Sequence, residues 1–222
     1  MGAAKSINSS RLDKANISEN HKKVLKHFSF MWVLTGAGIY VGTLVPPIVA
    51  LIAGILAILI LILAVFAEGL RRNPITYHSV PFLLGIGLWF TTTFYIDKMG
   101  AGTVLSIFIG TVVLFILLGV IGHFMRDISG WGKYLFFALI GLILFSVLGA
   151  FIASNLFATI MAGLGIVLFS LYTIYDFNEM AYYPISDEEA PAVALGLYLD
   201  FINLFLDILR FVWGLISSDL FD

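Results

Sequence analysis

Long apolar stretches without a single charged residue constrain this chain more than any other feature. The longest extends from Tyr134 to Tyr175, whereas a helix needs only about 20 apolar residues to cross a hydrocarbon core about 30 Å thick. Ser154 and Asn155 interrupt this stretch with polar side chains near its middle. We therefore predict two membrane-spanning helices there. Because the hydrophobicity is continuous rather than alternating, we do not expect strands.

Five further apolar stretches raise the predicted number of spans to seven. They cover residues 28–45, 48–67, 74–96, 99–123 and 191–216. Pro81 lies inside the span at 74–96, where it predicts a kink. With 60% hydrophobic and only 12% charged residues, the expected solvent is lipid. The predicted fold class is an all-α membrane protein, with a polar basic tail at 1–27 and a single seven-helix transmembrane domain at 28–222.

Lysine and arginine near the span ends predict the orientation, because cytoplasmic segments carry an excess of them. The loops after the second and fourth spans contain Arg71, Arg72, Arg126 and Lys133, whereas the loops on the other side contain only Lys98. The tail adds Lys5, Arg11, Lys14, Lys22, Lys23 and Lys26. We therefore predict a cytoplasmic N-terminus. The net charge of -2 argues against nucleic-acid binding, and a chain without cysteine has neither disulfides nor thiolate metal sites.

Ionisable residues inside the spans are the candidate functional residues, since a charge at the bilayer centre costs about 2.5 kcal/mol or more. Asp200 lies nine residues after Pro191, which at about 1.5 Å of rise per residue places it near mid-membrane. Asn203 and Asp207 follow on the same helix face and extend it into a polar stripe. Arg210 lies one turn beyond Asp207 and completes the stripe as its predicted ion-pair partner.

Asp176, at the end of the sixth span, is the second intramembrane candidate. The loop to the seventh span is short, so the two helices are expected to be antiparallel neighbours that bring Asp176 and Asp200 together. Two carboxyl groups in a low dielectric share one proton, which makes the pair a candidate pH sensor. When ionised, the pair also offers the hard oxygen ligands that suit Ca²⁺. Arg71 or Arg72 is a candidate latch that would bind the pair by charge-assisted hydrogen bonds.

The sixth and seventh spans resemble a known family. The stretches FSLYTIYDFN at 169–178, ISDEE at 185–189 and ALGLYLDFINLFLDILR at 194–210 resemble the transmembrane Bax inhibitor-1 family, and specifically its bacterial calcium-leak branch. The resemblance implies a seventh helix surrounded by the other six, and passive, pH-sensitive Ca²⁺ leak across a bacterial plasma membrane. It also implies that Asp176 and Asp200 are the paired aspartates of the pH sensor, and that Arg71 or Arg72 contacts them. Ca²⁺ would then be the transported or bound ion, with no cofactor and no enzymatic activity.

Two other functions are compatible with these residues. The basic N-terminal tail could bind and restrain a membrane-anchored AAA protease, as some relatives are thought to do. An intramembrane aspartyl protease also uses one aspartate on each of two neighbouring helices, one of them after a tyrosine, as in Tyr175-Asp176. Against the protease, Asp200 lacks a Gly-x-Gly-Asp setting, since Gly196 lies four residues before it, and no Pro-Ala-Leu element follows.

Overall fold

The computed structural model describes residues 2–66, 73–152 and 154–217, and within these ranges it consists of helices joined by short turns. The helices are α1 (Gly2–Gly42), α2 (Pro47–Phe66), α3 (Pro74–Met99), α4 (Ala101–Phe124), a 3-10 turn at Ser129–Trp131, α5 (Gly132–Ile152), α6 (Asn155–Tyr182) and α7 (Ala190–Ser217). Seven of them are long and apolar enough to cross a membrane, which confirms the all-α, seven-span prediction.

The predicted break inside the longest apolar stretch is a helix start. The hydroxyl of Ser154 accepts a hydrogen bond from the backbone N–H of Phe157 at 3.3 Å. The first backbone N–H groups of a helix have no partner within the helix, and a serine at this position satisfies one of them. Ser154 thereby caps α6, and the apolar stretch divides into α5 and α6 as expected.

The polar N-terminal segment is helical rather than separate from the first span. Helix α1 runs without interruption from Gly2 to Gly42, and its apolar part covers Ile17–Gly42. The predicted boundary at residue 27 between tail and transmembrane domain therefore does not coincide with a break in secondary structure. The boundary stays a prediction. Pro81, where a kink was predicted, lies inside α3, which continues through it.

The chain divides into two compact units, the first formed by residues 1–90 with 180–198 and the second by 91–179 with 199–222. In the first unit, α1 and α3 pack backbone against backbone. A Cβ atom added to Gly38 would collide with the carbonyl oxygen of Phe82, and one added to Gly85 would collide with that of Thr35. Small residues permit this close approach of membrane helices. Gly38 and Gly85 are therefore packing positions at this crossing.

The second unit contains most of α6 and the C-terminal half of α7. Here α4 and α6 approach closely at Gly122, where an added Cβ would meet the carbonyl of Ile174. In the most apolar window of α7, 61% of the residues are buried, whereas no other span exceeds 33%.

Candidate functional site

The two intramembrane aspartates lie on α6 and α7 within the second unit. The Asp176 carboxyl group acts electrostatically on that of Asp200, and both act on the Tyr172 hydroxyl. Asp200 is only 6% exposed, and Asp176 is partly buried. The structure thus places the two carboxyl groups within electrostatic range of each other, while their role as a pH sensor stays a prediction.

One oxygen of the pair is buried without a hydrogen bond. Among the residues that the structure describes, none donates to Oδ2 of Asp200. A buried polar atom without a partner costs free energy, and an ionised one costs far more. The Asp200 carboxyl group would therefore be stabilised by a partner that offsets its charge, such as a proton, a metal cation or a guanidinium group. Arg71 and Arg72, the predicted latch, lie outside the described residues.

Hydroxyl groups near the pair on α6 are occupied by their own helix. Thr173 donates to the carbonyl oxygen of Phe169 at 2.8 Å, and Ser170 donates to that of Ile166 at 2.7 Å. Serine and threonine commonly form this bond to the preceding turn when they lie in the middle of a helix. These hydroxyl protons are thus directed at backbone carbonyls rather than at Asp176.

Asn178 fixes the helix that carries Asp176. It is 1% exposed, and its amide donates to the carbonyl oxygens of Gly122 at 2.9 Å and Arg126 at 3.2 Å. Its Oδ1 accepts from the N–H of Ile128 at 3.0 Å. One side chain thus ties α6 to the end of α4 and to the turn after it, two residues from Asp176. This role of Asn178 was not predicted from the sequence, since its partners are backbone groups that no side-chain pattern reveals.

The rest of the predicted polar stripe lies further along α7. Asp207 is 7% exposed, and its Oδ1 lies 2.6 Å from Nη1 of Arg210, which is the ion pair expected from their spacing. Arg210 also acts electrostatically on the Tyr95 hydroxyl. Asp207 packs against Gly165, where an added Cβ would meet its carboxylate. Asn203, between the two acids, is partly buried.

As a Ca²⁺ site, the Asp176–Asp200 pair would supply at most four carboxylate oxygens. Ca²⁺ takes about 6–8 oxygen ligands, so water or backbone carbonyls would have to provide the others. Over the described ranges, no three histidine, aspartate or glutamate side chains are grouped so that they could hold a metal ion.

Comparisons with known proteins identify a matching family model and several similar bacterial proteins. The family model described as Bax1-I, inhibitor of apoptosis-promoting Bax1, matches residues 18–218. An uncharacterized membrane protein of Streptococcus pyogenes is 35% identical over 163 residues, which is 69% of this chain and 71% of the relative. A Helicobacter pylori protein is 36% identical over 124 residues, or 55% and 53%. A Lactococcus lactis protein is 29% identical over 207 residues, or 82% and 88%.

Proposed function

Because the chain belongs to the Bax inhibitor-1 family of membrane proteins, we propose that it is a pH-sensitive Ca²⁺ leak channel gated by Asp176 and Asp200. The observation that carries this proposal is the buried Asp200 carboxyl group, whose Oδ2 has no partner among the described residues while a second carboxyl group acts on it. Such a pair responds to protons and to divalent cations. The activity is passive ion transport rather than catalysis, and it needs no cofactor.

The proposed gating depends on the net charge of the Asp176–Asp200 pair. Two unit charges about 4 Å apart repel by about 4 kcal/mol at an effective dielectric constant of 20. A proton, a Ca²⁺ ion or an arginine side chain removes this repulsion, and each changes the net charge to a different extent. Conformations of the protein stabilise the charge of the pair to different extents, so their relative populations change with pH. Arg71 or Arg72 is the proposed latch that binds the ionised pair in one of them.

The proposed setting is a bacterial plasma membrane, crossed seven times with the N-terminus in the cytoplasm. The distribution of basic residues supports this orientation, and the similar proteins named above come from bacteria. Lipid and Ca²⁺ are the proposed partners. The proposed driving force for Ca²⁺ is its own gradient.

The test is Ca²⁺ efflux from liposomes that contain the purified protein, measured as a function of pH. We expect the wild type to leak Ca²⁺ with a marked pH dependence, and Asp176→Asn and Asp200→Asn each to flatten it, because a neutral amide cannot titrate. Asp97→Asn is the matched control, since Asp97 is an exposed carboxylate at the end of α3. An unchanged pH profile in both pair variants would remove the pair from the mechanism.

The same preparation separates the two other functions. A wild type without flux that co-purifies with a membrane-anchored AAA protease would instead support the regulatory function. Cleavage of a transmembrane substrate that is lost in both Asp→Asn variants would support an intramembrane aspartyl protease. We favour the channel because the sequence around Asp200 lacks the glycine setting of that protease.

A further inference from the structure

Helix α1 is bonded to the loop between α6 and α7 by a buried asparagine in the first unit. Asn20 is 5% exposed. Its amide nitrogen donates to the carbonyl oxygens of Tyr183 at 2.8 Å and Met180 at 3.3 Å. Its Oδ1 accepts from the N–H of Ile185 at 3.0 Å. Both amide protons and the carbonyl oxygen of this one side chain are thus used on the loop and the helix end before it, and we call this set of bonds the Asn20 clasp.

An exposed ion pair supports the clasp. One turn after Asn20, Nζ of Lys23 lies 2.9 Å from Asp187 of the loop and 3.2 Å from Glu19. Exposed pairs of this kind contribute little to stability, so the buried Asn20 is the main attachment. The hydrogen bond from Lys23 and its positive charge lower the pKa of Asp187. Because the pKa of Asp187 is lowered, its carboxylate stays ionised at neutral pH, and the ion pair is lost only in acid.

The clasp holds the two helix ends that lead to the aspartates. Met180 lies one turn after Asp176 on α6. On the other side, Ile185 precedes Ser186, which caps the turn that leads into α7. The Ser186 N–H donates to Glu189 at 3.1 Å, and the Glu189 N–H donates to the Ser186 hydroxyl at 3.3 Å. This reciprocal arrangement is a capping box, which fixes the direction in which a helix begins. Asn20 is therefore bonded both to the end of α6 and to a loop residue five positions before the start of α7.

We propose that Asn20 is a positioning residue for the aspartate pair, so that the N-terminal helix sets the alignment of the helices carrying Asp176 and Asp200. An effect of Asn20 on Ca²⁺ transport rests on the proposed function. An effect of Asn20 on the alignment of the two aspartates does not. Among the described residues, Glu179 acts electrostatically on Asp176, and both carboxyl groups of the pair act on Tyr172. Asn20→Ala neither adds nor removes a charge, so a change in titration in that variant would come from the altered alignment.

The test compares Asn20→Ala and Asn20→Asp with the wild type in two measurements that need no transport. Aspartate can still accept from Ile185, but when ionised it cannot donate to the two carbonyl oxygens. We expect hydrogen exchange at residues 180–189 to rise about tenfold in both variants, as loss of buried hydrogen bonds implies. We also expect the infrared band of the protonated pair, assigned by its loss in Asp200→Asn, to change its pH midpoint by about half a unit or more.

The control and the contrary outcomes make the test decisive. Asn155→Ala, at an exposed asparagine where α6 begins, should change neither measurement. Faster exchange with an unchanged infrared midpoint would reduce Asn20 to a structural role and overturn the proposal, as would unchanged exchange. If both Asn20 variants fail to fold, Lys23→Met tests the same attachment with a smaller expected effect. A wild type without Ca²⁺ flux would refute the proposed function, while exchange and infrared titration would still decide the role of Asn20.

Discussion

At the scale of single residues, Asp207 and Arg210 show how a charge is held inside an apolar helix. Asp207 is nearly buried, whereas the Arg210 side chain is 50% exposed. The pair is therefore asymmetric, since the carboxylate depends on the arginine more than the arginine depends on it. Removal of the arginine leaves a buried carboxylate uncompensated, which is costly, whereas removal of both charges can be nearly neutral.

Arg210→Met is expected to lower the free energy of unfolding in detergent by about 1–3 kcal/mol, the usual cost of an unsatisfied buried polar group. The double variant Asp207→Leu/Arg210→Met should recover most of that loss. Chemical denaturation of the two variants and the wild type measures both effects. A double variant as unstable as Arg210→Met alone would show that the arginine acts through packing rather than through Asp207.

Residues whose partners are fixed by local geometry were predictable from the sequence. Asp207 and Arg210 are three positions apart on one helix, so their contact needs no knowledge of the fold. Asn20 and Asn178 were not predictable as anchors, because each binds backbone groups far along the chain. The partners of Asn20 are 160 or more positions away. An asparagine in a basic, polar segment gives no signal that it will be buried.

At the scale of elements, the number and approximate bounds of the helices followed from the apolar stretches. A segment in lipid must satisfy its backbone hydrogen bonds internally, so a long apolar stretch has little alternative to a helix. The polar residues Ser154 and Asn155 gave the division between α5 and α6 for the same reason. The helical state of the first residues of α1 was not predicted, since that segment lacks the apolar character that marks the spans.

The crossing of α1 and α3 gives a prediction with a control on the same helix. Gly38→Ala places a methyl group against the carbonyl oxygen of Phe82, and such overpacking typically costs about 1–3 kcal/mol. Gly36→Ala meets no atom within 4 Å and should be neutral or stabilising by up to about 1 kcal/mol. Thermal unfolding in detergent compares the two variants. Equal losses of stability in the two variants would mean that α1 and α3 pack less closely than they do in the structure.

At the scale of the whole molecule, orientation can be measured directly because the chain has no native cysteine. Glu188→Cys lies in the loop after α6 and Asp97→Cys at the end of α3, and both positions are exposed. With a cytoplasmic N-terminus, a membrane-impermeant maleimide added to intact cells should label the cysteine at position 97 and not the one at 188. Permeabilised cells, in which both should react, provide the control. The reverse pattern in intact cells would invert the orientation.

The central claim is that two aspartates on different helices act as one titrating unit that controls Ca²⁺ flux. The most direct measurement is flux against pH for Asp176→Asn, Asp200→Asn and the double variant in the same liposomes. If the carboxyl groups work only as a pair, the double variant should have the same flattened profile as each single variant, because loss of either partner already removes the unit. Additive effects of the two substitutions, or pH dependence that persists in the double variant, would contradict the account.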